Sequence, residues 1–283
     1  MAEGLDRPCL VMAAPNGARR HKRDHPAVPL TLEEMLETAE ACADAGAAAI
    51  HVHVRDRDGQ HTLDPHLNAR WYERLKERIG DRLVVQLTTE AAGRFGPAEQ
   101  EAMVRAVRPE AISLAPREWT PELHEPDGAL RRFLDWLAEA GIATQYILYS
   151  PEEMRRFHGW RRRGWIPQPR PMVLFVLGRY GDPREMADPT ALCAFLADHD
   201  PLCPWMACAF GRSETAALLA AAALGGHLRV GFENNLQHGD GAAAADNADR
   251  VAAVADGLRL IGRQRASAVQ ARAILGTDGA AGG

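Results

Sequence analysis

Lysine is almost absent from the chain: Lys22 and Lys76 are the only two in 283 residues, the first in a polar, charged loop and the second in a charged helical pattern, Trp71 to Arg78. Imine-forming aldolases and pyridoxal enzymes need a lysine amine desolvated in a pocket. That chemistry is excluded, and arginine must carry any fixed positive charge in a site. The five cysteines, Cys9, Cys42, Cys193, Cys203 and Cys208, are odd in number and form no CxxC pair. Neither a disulfide framework nor a cysteine zinc knuckle is expected. No apolar run approaches the roughly 20 residues of a membrane span, and Met1 to Pro8 has no apolar core of the signal-peptide type. Acidic residues number 38 and basic ones 33, a formal charge of −5 with no dominant charged block. Neither a nucleic acid nor a membrane is an expected partner, and the expectation is a soluble cytoplasmic protein.

What the sequence does contain is alternation. Short apolar or β-branched runs at Cys9 to Ala14, Ala48 to Val54, Leu83 to Thr88, Ala111 to Leu114, Ala143 to Tyr149, Met172 to Leu177, Trp205 to Ala209 and Leu228 to Phe232 read as strands. Longer amphipathic, alanine-rich segments separate them. Thr31 with Glu34 reads as a capping box, and Asp64-Pro65 and Asp188-Pro189 each read as a cap before a proline at the first helical position. Eight units of about 35 residues suit a (β/α)₈ TIM barrel. The doubly wound open sheet is the alternative, but the first turn, Ala14 to Ala18, lacks GxGxxG. A single domain over residues 1–276 is expected, with a disordered tail at 277–283.

A barrel keeps its chemistry where strands end. Strand 2 ends Ile50-His51-Val52-His53-Val54-Arg55-Asp56. Alternating faces send both imidazoles into the mouth, about 6 to 7 Å apart at Cα, and Ile50, Val52 and Val54 outward. Two such rings can share one zinc or similar divalent ion; the plainer reading is a hydrogen bond inside the barrel. The third ligand expected is Glu233, just past strand 8, which reaches strand 2 across strand 1. Two histidines and one carboxylate leave a coordination position open, as a catalytic ion requires. Arg229, in phase with Gly231 and Glu233, is then a buried cation beside the ion that grips an anionic substrate, or else a structural ion pair. Asp56 is expected to pair with Arg55 or Arg57.

These stretches, HxHxRD and GGHxRVGxEN above all, resemble the β-keto acid cleavage enzyme family of the 3-keto-5-aminohexanoate cleavage type. The likeness extends over APNGARRHKRDHPAVPLTLEEM, VVQLTT, VLFVLG, GRSETAALLAAAALGGHLRVGFENNL and ARAILG, nearly the whole chain. It implies a TIM barrel, usually a homotetramer, that binds zinc through two histidines and a glutamate and converts a β-keto acid and acetyl-CoA into acetoacetate and a new acyl-CoA. His51, His53 and Glu233 fall on the family's ligands and Arg229 on its strand 8 arginine. Thr88 and Thr89 match a hydroxyl pair around the keto acid, and Ser113 another small hydroxyl residue; each hydroxyl could equally be a turn or cap. Asn16 and Gly17 are expected at the substrate, and Gly211 with Arg212 at the phosphates of CoA, where the helix after strand 7 opens.

The chain departs from the family in three places. Asn234 stands where some members have an aspartate thought to transfer a proton. Strand 5 offers Gln145 and Tyr146 where acidic residues are common. The first loop, Asn16-Gly17-Ala18-Arg19-Arg20, carries arginines where the amino-substrate member has a glutamate nearby, which suits a neutral or additional anionic group. The ion could be zinc, cobalt, manganese or nickel. Two other classes remain open: an amidohydrolase-type hydrolase, which places HxH on strand 1 with histidines on strands 5 and 6, and a barrel that binds acyl-CoA or keto acid without turnover.

Overall fold

Strand phase sorts the apolar residues into two layers. The computed structural model describes residues 6–120, 125–179 and 187–277. Its strands are β1 (Val11–Ala13), β2 (Ala49–Val52), β3 (Val84–Thr88), β4 (Ala111–Leu114), β5 (Ala143–Leu148), β6 (Met172–Leu177), β7 (Trp205–Ala209) and β8 (His227–Val230). All pair in parallel in sequence order, and β8 closes onto β1. Ile50, Val52, Val85, Leu87, Ile112, Phe175 and Leu228 point outward and pack under the helices. Leu10, Met12, Val84, Met172, Leu174 and Met206 fill the interior. The expected strands are thus present, a few of them shorter at their ends because pairing stops where the βα turns begin.

Helices between strands start where caps permit. Thr31 makes both halves of a capping box with Glu34 at the start of α1 (Leu32–Ala45). Asp64 accepts from the Leu67 N–H at the start of α2 (Pro65–Ile79), with Pro65 in the first turn. Asp188-Pro189 does not open a helix as its sequence suggests. Three-residue hydrogen bonds from Ala191 to Asp188 and from Leu192 to Pro189 form a tight turn first, and regular helix begins only at Ala191. The Asp188 side chain caps that turn through the Thr190 N–H.

The last helix, Ala268–Leu275, opens on a Ser267–Gln270 capping box. Its Ala271 and Leu275, with Ala266, join the interior cluster. The amino-terminal end of the barrel is therefore a packed floor. Beyond Thr277 the expected tail lies outside the described residues. Among the described residues no helix is long and apolar enough to cross a membrane.

Candidate active site

The interior changes character towards the carboxyl ends of the strands, from Leu10 and Val84 to His51, Gln86, Thr88, Ser113, Gln145 and Arg229, every one buried. His51 Nδ1–H donates to Gln86 Oε1 at 2.7 Å. Gln86 is the register partner of His51 on β3 and is itself oriented by a 3.3 Å hydrogen bond to Gln145 Oε1. That bond fixes the tautomer and leaves the His51 Nε2 lone pair aimed at the mouth. His53 Nε2 lies 3.0 Å from it, and Glu233 Oε2 lies 3.6 and 3.5 Å from the two nitrogens. Two atoms that ligate one zinc at about 2.1 Å in tetrahedral geometry are about 3.4 Å apart. The three donors therefore fit a single ion. Glu233 Oε2 is buried and has no hydrogen-bond donor, an orphan that a cation would satisfy.

Charges around the triad are set by burial. It lowers His51 to about 4 and His53 well below the usual imidazole range, so both rings are neutral and able to ligate. Burial raises Glu233, but the Arg229 guanidinium outweighs it and holds the carboxylate ionised. Arg229 Nη2 donates to Glu233 Oε1 at 2.8 Å, leaving Oε2 to the histidines.

Glu233 is placed by the turn that follows β8. Gly231 adopts φ +147, and a Cβ there would come within 2.5 Å of the Ala14 carbonyl oxygen. Gly17, at φ +54, brings the first loop so close that its Cβ would lie 2.5 Å from Glu233 Cγ. Behind the turn, Glu214 and Arg250 form a fully buried ion pair at 2.6 Å, and Glu214 also accepts the Gly231 N–H. Neither residue stands out in the sequence, because their meeting depends on helices 36 residues apart.

A small pocket of about 20 Å³ lies against the triad, lined among others by His51, Thr88, Thr89, Ser113, Glu118, Arg229 and Glu233. Thr89 Oγ1 donates to the Ser113 carbonyl and Thr88 Oγ1 accepts from Glu90 N, whereas the Ser113 hydroxyl is buried without a partner. Glu118 enters from the turn after β4. Its Oε2 accepts from Ala91 N and Gln100 Nε2, and burial raises its carboxyl to about 7. Nothing in the sequence marks Glu118 or Glu90 beyond their place in βα loops.

The remaining candidates lie elsewhere. Asn16 spends its amide on backbone, bonding Pro29 O and both polar groups of the His53 peptide unit, so it holds the end of β2. Asn234 is buried with neither amide atom partnered. Gly211 N donates to Asn234 O, while Arg212 is exposed and outside the pocket lining. Tyr146 does not substitute for an acid in the site: one position out of phase with Gln145, it faces the helices and donates to Gln168 Oε1. Asp56 pairs with neither arginine; it accepts the Asp58 and Gln60 N–H groups, while Arg55 clamps the carbonyls of Asn16, Gly17 and Arg20, and Arg57 meets Asp58.

Comparison with known families gives a match to the beta-keto acid cleavage enzyme family over residues 8–277. The chain belongs to that family. A curated relative is the 3-oxoadipate:acetyl-CoA acetyltransferase of Cupriavidus necator, 28% identical over 282 residues and covering 96% of each chain. Another is the 3-keto-5-aminohexanoate cleavage enzyme of Fusobacterium nucleatum, 28% identical over 283 residues, 94% of this chain and 97% of the relative. Among solved structures, apo ObcA superposes with a TM-score of 0.69 at 16% identity, over 89% of this chain and 66% of that one, a likeness of fold alone. As a β-keto acid cleavage enzyme, the chain carries its distinctive polar residues on the ends of β2, β3, β4 and β8, around one mouth.

Proposed function

We propose that the protein transfers the acyl group of a β-keto acid to CoA, with acetyl-CoA as co-substrate and acetoacetate as the second product, and that it does so with a divalent ion held by His51, His53 and Glu233. The observation that carries the reading is the triad, three donor atoms within 4.8 Å of one another beside a buried arginine. Zinc is the ion the donor set suits. A homotetramer rests on the family resemblance alone, and a cytoplasmic location on the reading of the sequence alone.

When bound, the ion would supply Lewis-acid polarisation of the ketone and carboxylate oxygens. The rest falls to the chain. Glu118 is the proton acceptor: it faces the same pocket, its free Oε1 carries no hydrogen bond, and burial tunes it to about 7, where a base works best. Asn234 cannot serve, since an amide takes no proton at neutral pH. With the C2 proton on Glu118, C2 bonds to the acetyl carbonyl of acetyl-CoA and Arg229 stabilises the oxygen on which charge develops. The CoA thiolate leaves, takes the C3 acyl group as the C2–C3 bond breaks, and the proton returns to acetoacetate. The Ser113 hydroxyl, unpartnered and in the pocket lining, is left to donate to the keto acid.

The reading is tested by turnover of a β-keto acid panel with acetyl-CoA, followed by mass spectrometry. Acetoacetate and the matching acyl-CoA should form in equal amounts. Consumption of keto acid without the thioester would indicate a hydrolase, and saturable binding without product a binder. For Glu118, replacement by Gln should lower kcat at least 100-fold and remove the acidic limb of the pH profile. In the wild type that limb should rise as pH passes through about 7, because only the ionised carboxylate accepts a proton. An unchanged limb in Glu118→Gln would assign the base elsewhere.

A further inference from the structure

The pocket against the triad holds about 20 Å³, room for one or two water-sized groups. A keto acid anchored there must extend its acyl tail elsewhere. The adjoining recess of about 210 Å³ is lined by Gly17, Ala18, Arg19, Arg20, Glu90, Arg179 and Glu233, and it shares Glu90, Arg179 and Glu233 with the pocket. It adjoins the pocket through those three side chains and is rich in guanidinium groups.

We infer that this recess recognises an anionic group on the substrate's acyl tail, so that the preferred substrates are β-keto acids with a second, terminal carboxylate, held between Arg19 and Arg179. The inference rests on the proposed β-keto acid chemistry for the position of the head group. Three arginines face two carboxylates in the recess. One of those, Glu233, is neutralised by Arg229 at 2.8 Å. The other, Glu90, lies 4.0 Å from Arg179, at the outer limit of an ion pair, and 3.8 Å from the neutral His53 ring, which offers it no charge. Arg20 is turned aside, its Nε–H donating to Phe232 O. Arg19 is exposed and has no ion pair among the described residues. Arg179 is pinned with its guanidinium 4.7 Å over the Phe210 ring, which fixes its plane while leaving its edge for a carboxylate. An ammonium tail would meet this excess of positive charge and be rejected. A neutral tail would gain nothing from it.

The phosphates of CoA share the same chemistry, so the experiment separates the two anions. Wild type, Arg19→Ala, Arg179→Ala and Arg179→Lys are assayed on a terminal-carboxylate β-keto acid and a neutral one of equal chain length, each over a range of acetyl-CoA. Calorimetry with glutarate and with butyrate, on zinc-loaded protein, gives a readout independent of turnover. The wild type should favour the dicarboxylic substrate at least tenfold in kcat/KM. That ratio should fall at least tenfold in each alanine variant and partly recover in Arg179→Lys, and glutarate should bind more tightly than butyrate only when both arginines are present. A wild-type ratio near one, or a ratio untouched by either change, overturns the inference. A raised KM for acetyl-CoA, equal for both keto acids, assigns the arginines to the phosphates and overturns it as well. Glutarate discrimination in a protein that turns over no keto acid would sustain the anion subsite while the proposed function fails.

Discussion

His51→Ala combined with His53→Ala is expected to reduce bound divalent metal from about one ion per chain to background and to abolish turnover, while the barrel still folds. Both rings are buried, at 1% exposure each, yet they take little part in the apolar packing. His51 bonds Gln86 and His53 presents an unpartnered Nδ1, so their loss removes ligand atoms rather than core. With the rings gone, only one carboxylate donor remains and no tetrahedral set can form. Metal analysis after dialysis, with circular dichroism as the control for folding, checks this. Full occupancy in the folded double variant would remove the triad from any role in metal binding. Each single variant should retain weaker binding, because two donors survive.

Arg229→Lys should keep the fold and the metal but lower kcat at least tenfold, the equivalent of about 1.4 kcal/mol of transition-state stabilisation. Arg229 is buried, and Glu233 keeps it firmly protonated despite the cost of desolvation. Its planar fork holds Glu233 with one nitrogen while Nε carries no partner, so donors remain for an incoming oxyanion. A lysine keeps the charge but is a single point, unable to hold the glutamate and the substrate in one plane. Removing the charge altogether, as in Arg229→Met, would leave Glu233 without its main counter-charge and should destabilise the protein by about 3 to 5 kcal/mol. Turnover and melting temperature measured together separate these outcomes. Wild-type kcat in a folded, metal-loaded Arg229→Lys would refute a catalytic role.

The two variants bear on residues that could be found without coordinates, and the reason is local. A strand repeats every two residues, so His51 and His53 share a face and Arg229 points inward from β8, whereas Glu233 lies past Val230, where β8 has ended, and is carried into the site by the turn at Gly231. The inward face of a closed parallel barrel is the site, which turns phase into position. The same rule should have separated Gln145 from Tyr146, since neighbours in a strand face opposite ways; Gln145 meets Met206 in the interior and Tyr146 packs on Phe157 outside it. Asn16 illustrates another limit: its presence in a loop beside the site is visible in the chain, but that its amide is consumed by the His53 backbone is not.

Sequence alone determined the (β/α)₈ order, most strand positions, the caps of the first two helices and the inward phase of His51, His53 and Arg229, because each depends on periodicity or on residues within a few positions of one another. Tertiary structure decided the rest. Gln86 orients His51 through strand register, Glu118 joins the lining of the pocket beside the triad only when β4 lies two strands from β2, and Arg19 and Arg179 line one recess because the barrel closes. The Glu214–Arg250 pair under the β8 turn likewise joins two helices. These are encounters between segments distant in the chain, whose geometry is set by register and packing rather than by any local preference, and they are the ones that shape the substrate's path.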